Sequence, residues 1–361
     1  MMTARRATHA GSWYTDDERE LSGQLDSFLA AVPSKTACIG TQSAKEDPVD
    51  IPVSNARAII APHAGYSYSG PAAAWAYKAV DWSNVKRVFL LGPSHHYYLE
   101  TCALSRCTTY ETPLGDLKLD MPTIAELEKT GKFSHMSRAA DEDEHSLEMH
   151  LPYIYKMLSR NFASPADFPP LIPILVGSTN RATEKAFGAL LAPYLADPSS
   201  IFIASSDFCH WGSRFRYTYY QPASGPAVHL NSAKRPSDRA IHESIAAVDM
   251  QCIDAVETGV HDEFLRVLEE TGNTVCGRHP IGVVMAAVEV LEKEGKADPA
   301  KVCPFCFLPP VSSSAPFPST TNMRLLDENV LLNTSRHRVK VDSSSCGMSA
   351  AVWSQVRETA A

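Results

Sequence analysis

Ala58-Ile59-Ile60-Ala61-Pro62-His63-Ala64-Gly65-Tyr66 runs from four apolar residues straight into proline, histidine and glycine. An apolar run cut off by turn formers reads as a strand buried on both faces, the kind found in parallel sheets. The pattern recurs at residues 88–91, 172–176 and 201–204. Small, helix-compatible residues at 71–80 follow the first run, and a helical pattern at 182–195 follows the third. Strands alternating with helices imply right-handed crossovers and a layered α/β domain with a parallel-rich central sheet flanked by helices.

Two further helices are expected. Residues 16–31 carry leucines and a phenylalanine at helical spacing, with acids in the first turn. Residues 280–294 open on proline at a first helical position and are apolar nearly all round, so that helix should be buried against the sheet. Residues 36–55 and 222–238 read as polar insertions, and 303–345 as a divergent, partly disordered Pro/Ser-rich segment. Residues 1–361 then make one domain with surface insertions, without internal repeats.

With 44% hydrophobic and 20% charged residues over 361 positions, the chain supports a sizeable core. A net charge of −8 argues against a nucleic-acid partner held by phosphate neutralisation. The N-terminus lacks the apolar core of a signal peptide, and no apolar run is long enough to span a membrane. Nine scattered cysteines suit a reducing compartment, so the expected address is cytoplasmic, with a nuclear pool compatible. Cys102, Cys107, Cys209 and Cys252 are expected to be structural thiols.

In open α/β sheets, ligands bind beyond the carboxyl ends of the strands. Three strands here lead into polar residues: His63 after the first, Ser94-His95-His96 after the second, and Ser205-Ser206-Asp207-Phe208-Cys209-His210 after the fourth. A fourth segment places Cys276 just before the 280–294 helix, where the helix N-terminus and Arg278 should favour the thiolate. Two imidazoles and a thiolate suit iron, copper or zinc and not calcium or magnesium. The plainer reading stays open: the histidines as loop residues, the glycines and prolines as turn chemistry, Cys276 as an apolar filler.

The run Asp141–His150 places Glu144 and Glu148 on one face if it is helical, with His145 or Glu148 reaching the pocket as an outer partner of a ligand. Cys303 and Cys306 have a CxxC spacing without a second pair. The aromatic cluster of Trp211, Phe215, Tyr217, Tyr219 and Tyr220 encloses Arg214 and Arg216; it either packs, walls the pocket or offers a phosphate-binding surface. Ser94, Ser205 or Ser206 beside a histidine and an aspartate would make a hydrolase, although no Gly-x-Ser-x-Gly elbow is present.

His9–Tyr14, 60–66, 91–96, 141–153, 205–220 and Cys276-Gly277-Arg278-His279-Pro280-Ile281-Gly282 together resemble the Memo family, named for mediating receptor-kinase-driven cell motility. The likeness covers most of residues 5–295. It implies the fold of class III extradiol dioxygenases, enzymes that hold Fe(II) with two histidines and a glutamate and use a further histidine as acid/base. By that resemblance His63 and His95 take the histidine places, Cys276 replaces the carboxylate, and His210 is the acid/base group with Asp207 nearby. His96, His145, Glu148, Arg278 and His279 fall around the pocket. A thiolate in place of a carboxylate favours copper or a differently poised iron. The resemblance implies one iron or copper ion, oxygen or a small molecule as substrate, and a redox role in signalling or metal homeostasis. Its alternative is a non-enzymatic adaptor for phosphotyrosine peptides, with Arg214, Arg216 and Tyr217 as contacts. The family's last strand has its expected counterpart at residues 343–352.

Overall fold

The computed structural model describes residues 3–308 and 348–356, other than 232 and 235. The four apolar runs become adjacent parallel strands at the centre of an eight-stranded sheet. In chain order its strands are β1 (Ala56–Ala61), β2 (Arg87–Pro93), β3 (Cys102–Leu104), β4 (Ser134–His135) and β5 (Leu171–Val176). The last three are β6 (Ser200–Ser205), β7 (Ala297–Leu308) and β8 (Met348–Val356). They lie in the order β7-β8-β1-β6-β2-β5-β3-β4. Every residue of β1, β5 and β6 is buried, as expected for strands covered on both faces. Antiparallel neighbours close the parallel core: β8 runs against β1 and β3 against β5.

Helices cover the sheet: α1 (Glu18–Ala31), α2 (Tyr66–Lys78), α3 (Met121–Lys129), α4 (Arg138–Asp143) and α5 (His145–Glu148). The others are α6 (Leu151–Asn161), α7 (Arg181–Ala196), α8 (Ile241–Glu257), α9 (His261–Thr271) and α10 (Arg278–Lys293). In α1, Asp17 caps the start by accepting from the Glu20 amide at 2.8 Å, and Leu21, Leu25 and Leu29 form the buried stripe. Helix α10 begins at Arg278, so Pro280 is its third residue. It still falls in the first turn, where a missing N–H leaves no intrahelical bond unmade. Residues Pro280–Val288 of α10 are all buried, and the helix packs against α7, β2 and β6. Among the described residues no helix is long and apolar enough to cross a membrane.

The 36–55 segment is pinned to the domain: Lys35–Thr36 pairs with Val49–Asp50, and Glu257 of α8 accepts the Gln42 and Ser43 amides at 2.8 Å each. The Pro/Ser-rich stretch differs from its expectation at its beginning. Residues 303–308, Cys303 and Cys306 included, belong to β7, whose backbone groups are paired by β8. The rest of that segment, 309–345, lies outside the described residues. The expected last strand is present as β8, beginning at Met348; positions 343–347 are outside the described residues.

Candidate functional site

The carboxyl ends of β1, β2 and β6 do bring their loops together, and two glycines make the approach of the remaining pieces possible. A Cβ at Gly277 would lie 2.2 Å from the Ser205 carbonyl oxygen, so only glycine lets the Cys276 segment run across the end of β6. A Cβ at Gly92 would meet Ser146 Oγ at 2.6 Å, and its absence seats α5 on β2.

His63 is buried, and its Nδ1 lies 2.6 Å from Ser205 Oγ. That hydroxyl donates to the Ser146 carbonyl at 2.7 Å, so it accepts from Nδ1–H and leaves the lone pair on Nε2. Nε2 faces Cys276 Sγ at 3.2 Å and Asp207 Oδ2 at 3.9 Å. His95 repeats the logic. Glu144 takes its Nδ1–H at 2.8 Å and its backbone N–H at 2.7 Å, again freeing Nε2. Burial pushes the Glu144 carboxyl up, but the His95 side chain and the His95 and Ser146 amides outweigh it and hold the group at about 2.

His145 stacks on His95 with centroids 4.4 Å apart and 19° between planes. Trp13 lies 4.5 Å away on the outer side. Burial, then the other imidazoles, push His63 well below its ordinary value and His145 down to about 3, so both stand as neutral rings. Neutral imidazole is the form that ligates a metal.

Asp207 is buried, accepts the His63 amide at 2.9 Å, and has its carboxyl pushed up by burial. The thiol of Cys276 is also pushed well up, by burial first and by Asp207 second. The expected thiolate is therefore not the favoured form of the unliganded group. Arg278 is exposed, and burial outweighs the nearby backbone donors. His210 is held at the mouth by Thr274: its amide donates to Oγ1 at 2.7 Å and Nδ1 lies 3.1 Å from the carbonyl. Its Nδ1 thus carries the proton and Nε2 is the basic nitrogen.

The ligand atoms fall into two groups, each mutually within 4.8 Å: His63, His95 and His145, and His63, Asp207 and Cys276. His63 is common to both, and among the described residues no such group contains both His95 and Cys276.

The other expected site residues separate. His96 is exposed beside His145, with centroids 5.9 Å apart. His279 is turned away onto Glu184, at 2.6 Å, which it shares with His261. Arg214 and Arg216 are exposed on the turn after His210, as a peptide contact requires. Tyr217 is buried and donates its hydroxyl to the Thr271 carbonyl at 2.9 Å, so it presents nothing to a peptide. Neither Ser94 nor Ser206 has a basic partner: they donate to the carbonyls of Tyr97 and Asp207. Ser205 is buried and orients His63, which removes the geometry of a serine hydrolase.

Glu144 replaces Glu148 as the carboxylate of the pocket. The run 141–150 is not one helix: α4 stops at Asp143, Glu144 is extended (φ −88°, ψ 116°), and α5 starts at His145. The break points the two acids apart. Glu148 is fully buried and accepts from Arg5 Nη1 (2.8 Å), the His9 amide (2.8 Å), His9 Nδ1 (2.9 Å) and Tyr14 Oη (2.9 Å). It anchors the N-terminal segment that carries Trp13 over His145. Arg5, His9, Trp13 and Tyr14 gave no chemical signal in sequence beyond the motif His9–Tyr14 itself.

Behind the site, Asp249 of α8 accepts from the Cys209 amide at 3.0 Å and from Asn273 Nδ2 at 2.9 Å, tying the loop after β6 to the segment before Cys276. Burial pushes its carboxyl up to about 7. The folded value lies above the unfolded one of about 3.9, so the stabilising protonation is complete below about pH 4 and lost as pH rises through about 7. Asp249→Asn keeps the acceptor and removes the titration. At about pH 8 the variant should exceed the parent by on the order of a few kcal/mol, with the advantage vanishing near pH 4. Urea midpoints across that range check this, and parallel curves for the two proteins would show that another group titrates.

The model of the Memo-like protein family matches residues 5–301. Protein MEMO1 of Homo sapiens is 45% identical over 294 residues, covering 81% of this chain and 87% of its own length. The Protein memo-1 homolog of Caenorhabditis elegans is 41% identical over 286 residues, covering 79% of this chain and 71% of its own. Among solved structures, an uncharacterized protein, JW3007, from Escherichia coli K12 aligns with a TM-score of 0.41 at 11% identity, covering 82% of this chain and 99% of its own. With the family model matching residues 5–301 and 45% identity to Protein MEMO1 across the strands and loops that build the pocket, the chain belongs to the Memo family.

Proposed function

We propose that this Memo-family chain is a metal-dependent redox protein of the cytoplasm that binds one iron or copper ion through His63, His95 and Cys276. The observation that carries the reading is the pair of pinned tautomers. Ser205 and Glu144 each take an Nδ1–H, which leaves the Nε2 lone pairs of His63 and His95 available to a ligand. The donor chemistry fits: two imidazoles, a thiol and a neighbouring carboxylate make a borderline-to-soft set. When bound, the ion supplies one-electron or Lewis-acid chemistry toward oxygen or a small substrate. The protein's own part is proton management and enclosure. His210 Nε2 accepts or returns a proton at the mouth, and Asp207, kept toward its neutral form by burial, is a second proton site beside it. Trp13 against His145 and Phe215, 5.2 Å from His210, wall the site.

The test is anaerobic reconstitution with Fe(II) or copper, followed by elemental analysis and, in the Co(II) form, absorption spectroscopy. About one ion per chain with a thiolate charge-transfer band, lost in Cys276→Ser, supports the ligand set. A chain that takes up no iron, copper or cobalt sinks it.

A second reading is an adaptor for phosphotyrosine peptides, favoured by the exposure of Arg214 and Arg216 beside His210. It requires peptide binding that survives metal removal and disappears when both arginines are replaced.

A further inference from the structure

We propose that the pocket has a second way to hold an ion: a three-imidazole position on His63, His95 and His145 that takes a borderline divalent cation such as Zn²⁺ or Cu²⁺ without Cys276. The inference rests on the reading of the pocket as a metal centre through His63. It adds a ligand, His145, and a different donor chemistry.

Geometry is the first support. One nitrogen from each of the three rings lies within 4.8 Å of the others, and this group contains neither Cys276 nor Asp207. The second is an unmade hydrogen bond. His145 Nδ1 is buried without a hydrogen-bond partner, and the nearest carboxylate oxygen, Glu144 Oε1, stands 3.6 Å away. A buried polar nitrogen left so carries an unmet desolvation cost. Around it, His63 and His95 are both fully engaged at Nδ1. With an ion on Nε2 of His145, Nδ1 would carry the proton on the Glu144 side, making that carboxylate the outer partner of two ligating rings.

The third support is rigidity. The His145 ring packs against two others, His95 at 4.4 Å and Trp13 at 4.5 Å. Trp13 is placed by a segment whose carboxylate anchor, Glu148, is fully buried. A ring already packed against two neighbours loses little freedom on binding. Three imidazoles form an all-nitrogen set that favours Zn²⁺ or Cu²⁺ and leaves open positions, whereas the thiol near His63 attracts softer ions. The two positions share His63 and His95 and differ in Cys276 against His145, so they are alternatives for a single ion.

Co²⁺ alone is the probe, added to the full chain, to Cys276→Ser, to His145→Phe (which keeps a ring between Trp13 and His95) and to the double variant. Cys276→Ser should still bind about one Co²⁺, with d–d bands and no thiolate band. Adding His145→Phe should weaken that binding by at least roughly 100-fold, since outer partners alone are worth 10–100-fold. His145→Gln in the same background should give the same loss, with unchanged melting as the control on folding. Equal affinity of Cys276→Ser and the double variant overturns the proposal, as does Cys276→Ser binding no cobalt. In either case a thiolate band in the unsubstituted protein leaves the Cys276 reading standing, and no cobalt bound to that protein removes both.

Discussion

His63→Ala should empty the pocket whichever position the ion takes, because His63 is a ligand in both and belongs to both of the mutually close donor groups. Ion content should fall from about one per chain to below roughly a tenth, an affinity loss of at least about 100-fold given that outer partners alone contribute 10–100-fold. The fold should survive. His63 sits at the end of β1, and the truncation removes one ring while leaving Ser205 its bond to the Ser146 carbonyl. A stability cost of about 1–3 kcal/mol follows from the lost packing and hydrogen bond. Elemental analysis beside Co²⁺ titration reads the outcome. Full occupancy with an unaltered spectrum in the variant would place the ion elsewhere and remove both positions at once.

Glu148→Ala should be the most destabilising single change in the N-terminal half of the site. Burial pushes the Glu148 carboxyl up, and His9 and Arg5 more than reverse it, keeping it charged where no water reaches. Removing it strands the fully buried Arg5 guanidinium with Asp141 as its remaining acid, and strips acceptors from His9 and Tyr14. Breaking a buried ion pair from one side costs about 3–5 kcal/mol, roughly a fifth or more of the stability of an ordinary domain. Glu148→Gln keeps the shape and should lose less. Urea midpoints read the first effect; faster hydrogen exchange over residues 5–14 reads the release of the segment that carries Trp13. A midpoint change of less than about 1 kcal/mol would show that Asp141 and backbone carbonyls suffice for Arg5.

These two cases show where reading the chain succeeds and where it stops. His63 was legible because an apolar run ending in proline, histidine and glycine announces a buried parallel strand and the loop beyond it. The same holds for His95, Asp207 and His210 at the ends of β2 and β6. Glu148 was misplaced because helical spacing puts it on one face with Glu144 only if the helix is continuous. The extended Glu144 residue breaks the run, caps α5 and turns its carboxylate to His95. Tyr217 was misread for a related reason. An aromatic run carries no mark of which ring fills the small core with Trp211 and Tyr220 and which faces water.

The thiolate expectation failed on a balance that sequence does not contain. A helix start and an arginine next to Cys276 suggest a lowered pKa, yet the arginine points into solvent and burial with Asp207 dominates. Desolvation depends on everything packed around an atom, and that is settled by residues distant in the chain, here Asp207 and His63.

By itself the sequence determined the α/β class, the parallel centre and the polar loops beyond its strands, because these follow from local periodicity and turn-forming residues. It also carried the family, through long motifs in order across residues 5–301. Only the tertiary structure decided which nitrogen of His63 and of His95 is presented, that His145 completes a three-imidazole group, and that Cys276 and His95 fall in different groups around one shared ring. Those outcomes rest on hydrogen bonds and packing between segments distant in the chain, with Glu144, Ser205 and the N-terminal segment as the parts that impose them.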